Sequence, residues 1–244
     1  MGRMEQGFKP MGEETPRITL PYGGPVTGVA ISGKIATGKS WLAGEIMKHV
    51  KPGHDHKPSR RLALANQLKI DVGLALQEIE PRLFPPNWFE KPYTILNWVN
   101  ANKHRLRGML QDVGLLMREE MNEDYWVDRM FQTLYTGNGR GGNKKGAFLG
   151  VVDDLRFQSE FEALEKRGFL LVRLEVPTNP DSKKVYIQRR GELYPDLSPS
   201  NIYHPSEDDL DDWEERFHIV LDCTRPKSAV WAAYIGEARR YKWA

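Results

Sequence analysis

The residues from Gly33 to Ser40 read Gly-Lys-Ile-Ala-Thr-Gly-Lys-Ser, the spacing of a loop built to hold a polyphosphate. Its two glycines let the backbone curl so that successive N–H groups point inward at phosphate oxygens. Lys39 adds a cation for the β and γ phosphates, and Ser40 offers a hydroxyl to Mg²⁺. The helix expected to begin there presents its positive dipole end to the same anion. The ATP-contacting stretch is therefore expected to run through Gly33, Lys34, Ile35, Ala36, Thr37, Gly38, Lys39, Ser40 and Trp41. Such a pattern also arises by chance in glycine-rich turns, so its flanks decide. "VTGVAIS" (26–32) before it reads as a buried strand. "GKSWLAGEIMKHVK" after it has the helical spacing of Trp41, Leu42, Ile46 and Val50. The context is the required one.

A phosphate loop also needs a carboxylate on a neighbouring strand to hold the water shell of the metal. "AFLGVVDD" is a continuous apolar run ending in Asp153 and Asp154, at the strand end where open α/β sheets gather their ligands. The bland alternative is a pair of turn aspartates capping the next helix. Moving a phosphoryl group between two clustered anions further calls for arginines from more than one segment. Arg107, Gln111, Gly114 and Arg118 fall at i, i+4, i+7 and i+11, on one face of an amphipathic helix, with Arg105 and Arg129 nearby. A solvated stripe shares that spacing, but Met109, Leu110, Val113 and Leu116 around it favour a packed helix. Arg189 and Arg190 follow a strand in a short basic segment, where a closing lid would lie. A solvated face is the bland reading of that pair.

The elements that must position these groups alternate along the chain. "RFQSEFEALEKRG" is a helix, "FLLVRLEV" a strand, "KKVYIQRRGEL" a short basic helix, "HIVLDC" a last strand and "KSAVWAAYIGEARRYK" a closing helix. "SEDDLDDWEERF" begins with Ser206 and carries Asp209 three residues on, a variant capping box. Residues 60–135 read as mostly helical, broken at "EPRLFPPNWFEKPY". The expected fold class is α/β: a parallel sheet with helices on both faces, a helical acceptor-binding insertion at 60–135 and a lid near 178–205. Residues 1–25 read as a loose arm, with "RITLPY" able to add an edge strand, and 26–244 as the kinase-like domain.

Composition narrows the class further. Net charge is +2 over 244 residues, too even to make nucleic acid the default partner. Cys223, the sole cysteine, reads as a core residue in a reducing setting. His54 and His56 lie in a Pro/Gly-punctuated loop with no third ligand near, so they read as solvent-facing. No apolar run of membrane-spanning length and no signal-peptide core is present, so a soluble, cytoplasmic protein without membrane contact is expected.

Together "GKIATGKS", "LANQLK", "RGMLQDVGLLMREEMNEDYWV", "DDLRFQSEFEALEKRG" and "HPSEDDL" resemble, in order, phage-type deoxynucleoside monophosphate kinases of the P-loop nucleoside monophosphate kinase superfamily. The resemblance covers residues 28–235 and implies ATP and Mg²⁺ as cofactors, with a host-cell cytoplasmic setting if the gene is a phage's. It implies that Asp154 and Arg156 serve the metal and the acceptor phosphate. By the same token Lys69, Arg107, Gln111, Arg118, Trp126 and Glu160 would line the monophosphate pocket. His204, Ser206 and Glu207 match the family segment after the lid. The strand rule favours Asp153 for the metal shell, whereas the family register favours Asp154. Asn66 stands where the family carries an acid, Glu175 stands near an expected arginine, and "GNGRGGNKKG" is extra.

A deoxynucleoside monophosphate is thus the leading acceptor. The alternative is a hydroxymethylated base in DNA, such as 5-hydroxymethyluracil, held by Arg140, Lys144 and Lys145 with Trp88, Phe89, Tyr93 and Trp98. Those aromatics are otherwise ordinary packing residues. A non-catalytic nucleotide-binding module would leave the lid arginines and paired aspartates without a task. A homodimer is left open.

Overall fold

The computed structural model describes residues 28–49, 59–84, 92–135, 149–193 and 209–241. Five strands form one parallel sheet: β1 (Gly28–Gly33), β2 (Ser59–Leu62), β3 (Leu149–Leu155), β4 (Phe169–Glu175) and β5 (Ile219–Asp222), in the order β2-β3-β1-β4-β5. β1 therefore sits at the centre, in register with β3 on one side (Val29 opposite Val151) and β4 on the other (Val29 opposite Leu170). Alternation along β1 sends Val29 and Ile31 to one face and Ala30 to the other. Both faces are covered, which is why the run is apolar throughout.

On the first face lie α1 (Lys39–His49) and α8 (Lys227–Arg240), which bury Leu42, Ile46, Val230, Tyr234 and Cys223 against β1 and β5. On the second lie α5 (Tyr125–Tyr135) and α6 (Gln158–Lys166), which bury Val127, Phe131, Phe161 and Leu164. The chain leaves β1 for β2 through α1 and crosses from β3 to β4 through α6, on opposite faces. The carboxyl ends of β1 and β3 thus open a crevice at the point where the winding reverses. A third apolar cluster joins α2 (Ala65–Ile79), α3 (Pro92–Ala101) and α4 (Lys103–Glu120) to α5 through Leu68, Val72, Ile95, Val99, Leu110 and Trp126. This is the helical insertion, and it overhangs the β3 side of the crevice. The remaining long helix, α7 (Pro180–Leu193), follows β4. The α/β parallel-sheet fold class expected from the sequence is the observed one.

Two expectations are corrected. Residues 59–62 are not part of a helical stretch but form the edge strand β2, pairing in parallel with β3. The described part of the segment expected to be helical is not α-helix: Asp211–Arg216 is a 3-10 helix, held by Trp213 and Phe217 packing edge-on against Phe161. Asp209, expected in the capping box of that segment, serves its neighbour. Its carboxylate accepts the backbone N–H of Gln158 at 2.8 Å, at the start of α6. The N-terminal arm with "RITLPY", His54, His56, Trp88, Phe89, the 136–147 loop and the segment with His204, Ser206 and Glu207 lie outside the described residues. Among those that are described, no helix is long and apolar enough to cross a membrane.

Candidate active site

The loop between β1 and α1 has the backbone that its sequence calls for. Gly33 and Gly38 take φ values of 146° and 96°, in the region that side chains avoid. A Cβ on Gly33 would stand 2.7 Å from the carbonyl oxygen of Leu174. Ala36, between them, is held at a φ of 65°, a conformation that costs free energy and persists where surroundings enforce it. Thr37 Oγ1 donates to the Lys34 carbonyl at 2.8 Å and fixes the turn from inside. The Lys39 ammonium donates to the carbonyls of Gly33 and of Lys34, the latter at 2.7 Å. Both are groups that phosphate oxygens would replace.

Two side contacts steady this loop from outside. Lys34 pairs with Asp211 at 2.7 Å, and Asp211 in turn accepts from the buried guanidinium of Arg173 at 2.6 Å. Arg173 also donates to Ser32 and Glu175, so Glu175 is spent on charge balance within β4. From α7, the Tyr186 hydroxyl donates to the Ile35 carbonyl at 3.0 Å. Arg190 is partly buried on the same helix, whereas the side chain of Arg189 lies outside the described residues. Trp41 packs beside the first-face core, with the Lys227 ammonium 5.5 Å from its ring centroid.

Ser40 Oγ donates to Asp153 Oδ2 at 2.8 Å, across the crevice from α1 to β3. A hydroxyl and a carboxylate are hard oxygen donors, the kind Mg²⁺ takes when it keeps most of its waters. The residues present therefore fit that ion. Among the described residues no three His, Cys, Asp or Glu side chains gather as a metal cage. A divalent ion here would draw its other ligands from water and phosphate.

Asp154 is placed differently. Helix α2 starts at Leu64, Ala65 and Asn66 with no side-chain cap of its own. Asp154 supplies one across 89 residues, its two oxygens accepting the N–H groups of Leu64 at 3.0 Å and Ala65 at 2.9 Å. Burial and the adjacent Asp153 push its carboxyl above the ordinary range, against the pull of those two N–H groups and Lys69. This geometry sets Asp154 apart from the Ser40–Asp153 pair, and the turn-aspartate reading fits half of the pair.

On the insertion side of Asp154, cations collect. Lys69, one turn into α2, is held below its usual pKa by burial, which outweighs the attraction of Asp154 and Asp153. Lys103, at the first turn of α4, is pushed down to about 8, by burial first and then by Lys69, Arg156 and Arg107. The residue as a whole remains exposed, so it is the ammonium end, among those cations, that loses its water. The sequence reading named Lys69, Arg107 and Arg156 and missed Lys103. Its first-turn position, one helical turn before Arg107, was the available signal. Gln111 follows on the same helix, half-buried.

Three residues expected at this pocket point inward. Arg118 forms an ion pair with Glu160, their side chains 9% and 4% exposed, and its guanidinium lies 3.4 Å over the Phe157 ring. Glu160 also accepts the backbone N–H groups of Arg156 at 2.9 Å and Phe157 at 3.2 Å. The pair thus fastens α4 to the entry of α6. Trp126 lies in the third apolar cluster and donates its ring N–H to the Gly114 carbonyl at 3.0 Å, welding α5 to α4. Their common reason is tertiary: one helical face carries the neighbouring cations Lys103 and Arg107 at one end and turns into the interior at its Arg118 end. Removing the cation from a buried pair leaves a carboxylate without compensation. Arg118→Leu is therefore expected to cost about 3–5 kcal/mol of stability, read as a lower urea midpoint. A midpoint unchanged from the parent protein would return Arg118 to the surface.

No family model matches the chain, and no curated protein matches it. Solved structures do. The dephospho-CoA kinase from Campylobacter jejuni is similar at a TM-score of 0.41 and 15% identity, covering 88% of this chain and 96% of that one. At that level the fold reading rests on the sheet order and loop geometry above.

Proposed function

We propose that the protein transfers the γ-phosphoryl group of ATP to the phosphate of a deoxynucleoside monophosphate, giving the diphosphate and ADP. The observation that carries this reading is the convergence of Lys69, Lys103, Arg107 and Arg156 about Asp154, at the end of the strand next to β1. Four cations around one carboxylate leave an excess positive charge, the match for a compact phosphate dianion rather than a neutral hydroxyl. The deoxy sugar follows from the family resemblance.

In the reaction an acceptor phosphate oxygen attacks the γ-phosphorus and the bond to the β,γ-bridging oxygen breaks, with ADP leaving. Lys39 shifts from the loop carbonyls onto the β and γ phosphates and holds the charge that spreads over them. Ser40 and Asp153 would orient Mg²⁺, which when bound neutralises phosphate charge and fixes the γ group in line. Lys69, Arg107 and Arg156 hold the acceptor so that its oxygen meets the phosphorus, and Gln111 sits beside them. Arg190, with Arg189, would close from α7, a helix already tied to the loop by Tyr186.

The direct test is transfer from labelled ATP to each deoxynucleoside monophosphate, to nucleosides, and to duplex DNA with and without hydroxymethylated bases. Transfer to at least one monophosphate is expected. Transfer to hydroxymethylated duplex alone would overturn the acceptor while sparing the ATP site. Trp98 packs against Phe84, the rings tilted by 35° with centroids 4.2 Å apart, a packing role.

Lys103 adds a pH signature. Its charge is present below about 8, and the acceptor's second phosphate proton is lost near pH 6. kcat/KM for the acceptor should therefore rise through about pH 6 and fall above about 8. Lys103→Met should lower it about tenfold at pH 7 and remove the falling limb. A limb that survives the substitution would assign it to another group.

A further inference from the structure

We propose that Arg61 is the resident counter-cation of the metal-site carboxylate, neutralising Asp153 in the nucleotide-free protein and moving onto phosphate when the divalent ion takes that carboxylate over. The inference rests on the reading that Asp153 belongs to the metal shell.

Arg61 stands next to last in the edge strand β2, opposite Val151 of β3, and reaches forward to the strand's carboxyl end. Its fork engages both oxygens of Asp153: Nε donates to Oδ1 at 3.0 Å and Nη2 donates to Oδ2. Oδ2 also accepts from Ser40. Both carboxylate oxygens are thus engaged, and the charged partner among the described residues is the more exposed of the two. The two partners are buried very unequally, the Asp153 side chain 6% exposed and that of Arg61 48%. Asp153 cannot leave the sheet, whereas the guanidinium sits over it on the solvent side.

That asymmetry has a physical reason. A carboxylate sunk among β3 neighbours is costly to bury without a partner, and the Arg61 fork supplies that partner at the strand end. A hydrated divalent ion needs the same oxygen lone pairs, directly or through water, so guanidinium and metal compete. A guanidinium fork fits phosphate as well as carboxylate. Once displaced, Arg61 would turn to a phosphate bound at the loop, and the exchange would keep it paired. Lys39 performs the parallel exchange, from loop carbonyls to phosphate. The site would then hold its charges in balance before and after loading, which discourages metal uptake without nucleotide.

The consequence is an opposition of signs that a merely structural arginine would not produce. Mn²⁺ binding to the nucleotide-free protein, followed by the electron-resonance signal of free Mn²⁺, should tighten roughly three- to tenfold in Arg61→Gln, the worth of a half-exposed ion pair. Turnover with ATP and acceptor should fall in the same variant, because a phosphate contact is lost. Arg61→Lys, which keeps the charge and loses the fork, should lie between on both readouts. Asp153→Asn should abolish the Mn²⁺ binding, and Arg61→Gln with Asp153→Asn should match Asp153→Asn alone. Thermal melting of each variant confirms that folded protein is compared. If Asp153→Asn abolishes binding but Arg61→Gln binds no more tightly than the parent, the exchange is refuted and the metal assignment stands. If Asp153→Asn binds Mn²⁺ as the parent does, the metal assignment falls and the exchange with it.

Discussion

Lys39→Ala is expected to lower kcat by about 10²-fold or more while the protein keeps its fold. The side chain is half-buried and donates to the carbonyls of Gly33 and Lys34. Both acceptors belong to the loop itself, which Thr37, Tyr186 and the Lys34–Asp211 pair also hold. Truncation therefore removes local hydrogen bonds at the mouth of the crevice, a loss of about 1–3 kcal/mol. The catalytic loss is larger because charge on the β and γ oxygens grows toward the transition state, and the ammonium stabilises it more there than in bound ATP. The effect should thus fall on kcat more than on the KM for ATP. Melting curves and steady-state kinetics on one preparation separate the two. Near-parental turnover in a folded variant would remove the phosphate-loop assignment and the proposed chemistry with it.

The phosphate loop, the strand before it and the helix after it were legible because each is local. Fixed glycine spacing, a continuous apolar run and a helical repeat are all contained in residues 28–49. The same holds for β3, β4, β5 and α8. What the sequence hid was tertiary. Strand β2 has one buried apolar residue, Leu62, after a Pro/Gly-punctuated loop, so its pairing with β3 rather than its own pattern makes it a strand. Arg61 was missed with it. Arg107 and Arg118 share a helical face, yet Glu160, 42 residues further on, draws Arg118 inside. Asp209 sits in a sequence that looks like its own cap, but its carboxylate takes the free N–H of Gln158 at the start of α6. In each case a partner remote in sequence decided between two readings that local spacing left equal.

The aspartate pair is the sharpest instance, and it sets the other large effect. Asp153→Asn is expected to raise the Mg²⁺ concentration for half-maximal activity more than tenfold and to lower kcat/KM about 10²-fold. Asp154→Asn should leave the Mg²⁺ titration close to the parent's. The family register implied the opposite order, with Asp154 the more important for the metal. Position decides against it: Ser40 Oγ lies 2.8 Å from Asp153, whereas both oxygens of Asp154 are occupied by the N–H groups of Leu64 and Ala65. An asparagine at 153 keeps an oxygen for Ser40 but presents no charge to a divalent ion or to Arg61. At 154 the loss is of another kind. An amide offers one oxygen and one NH₂, so one of the two N–H donors at the start of α2 would face another donor. The expected cost is about 1–2 kcal/mol of stability, as for losing a helix cap, with a change in acceptor KM because the carboxylate balances Lys69 and its neighbours. Titrating activity against Mg²⁺ for both variants, beside their urea midpoints, resolves the two roles. A larger metal effect at Asp154 than at Asp153 would restore the family register and move the metal to the far side of the strand end.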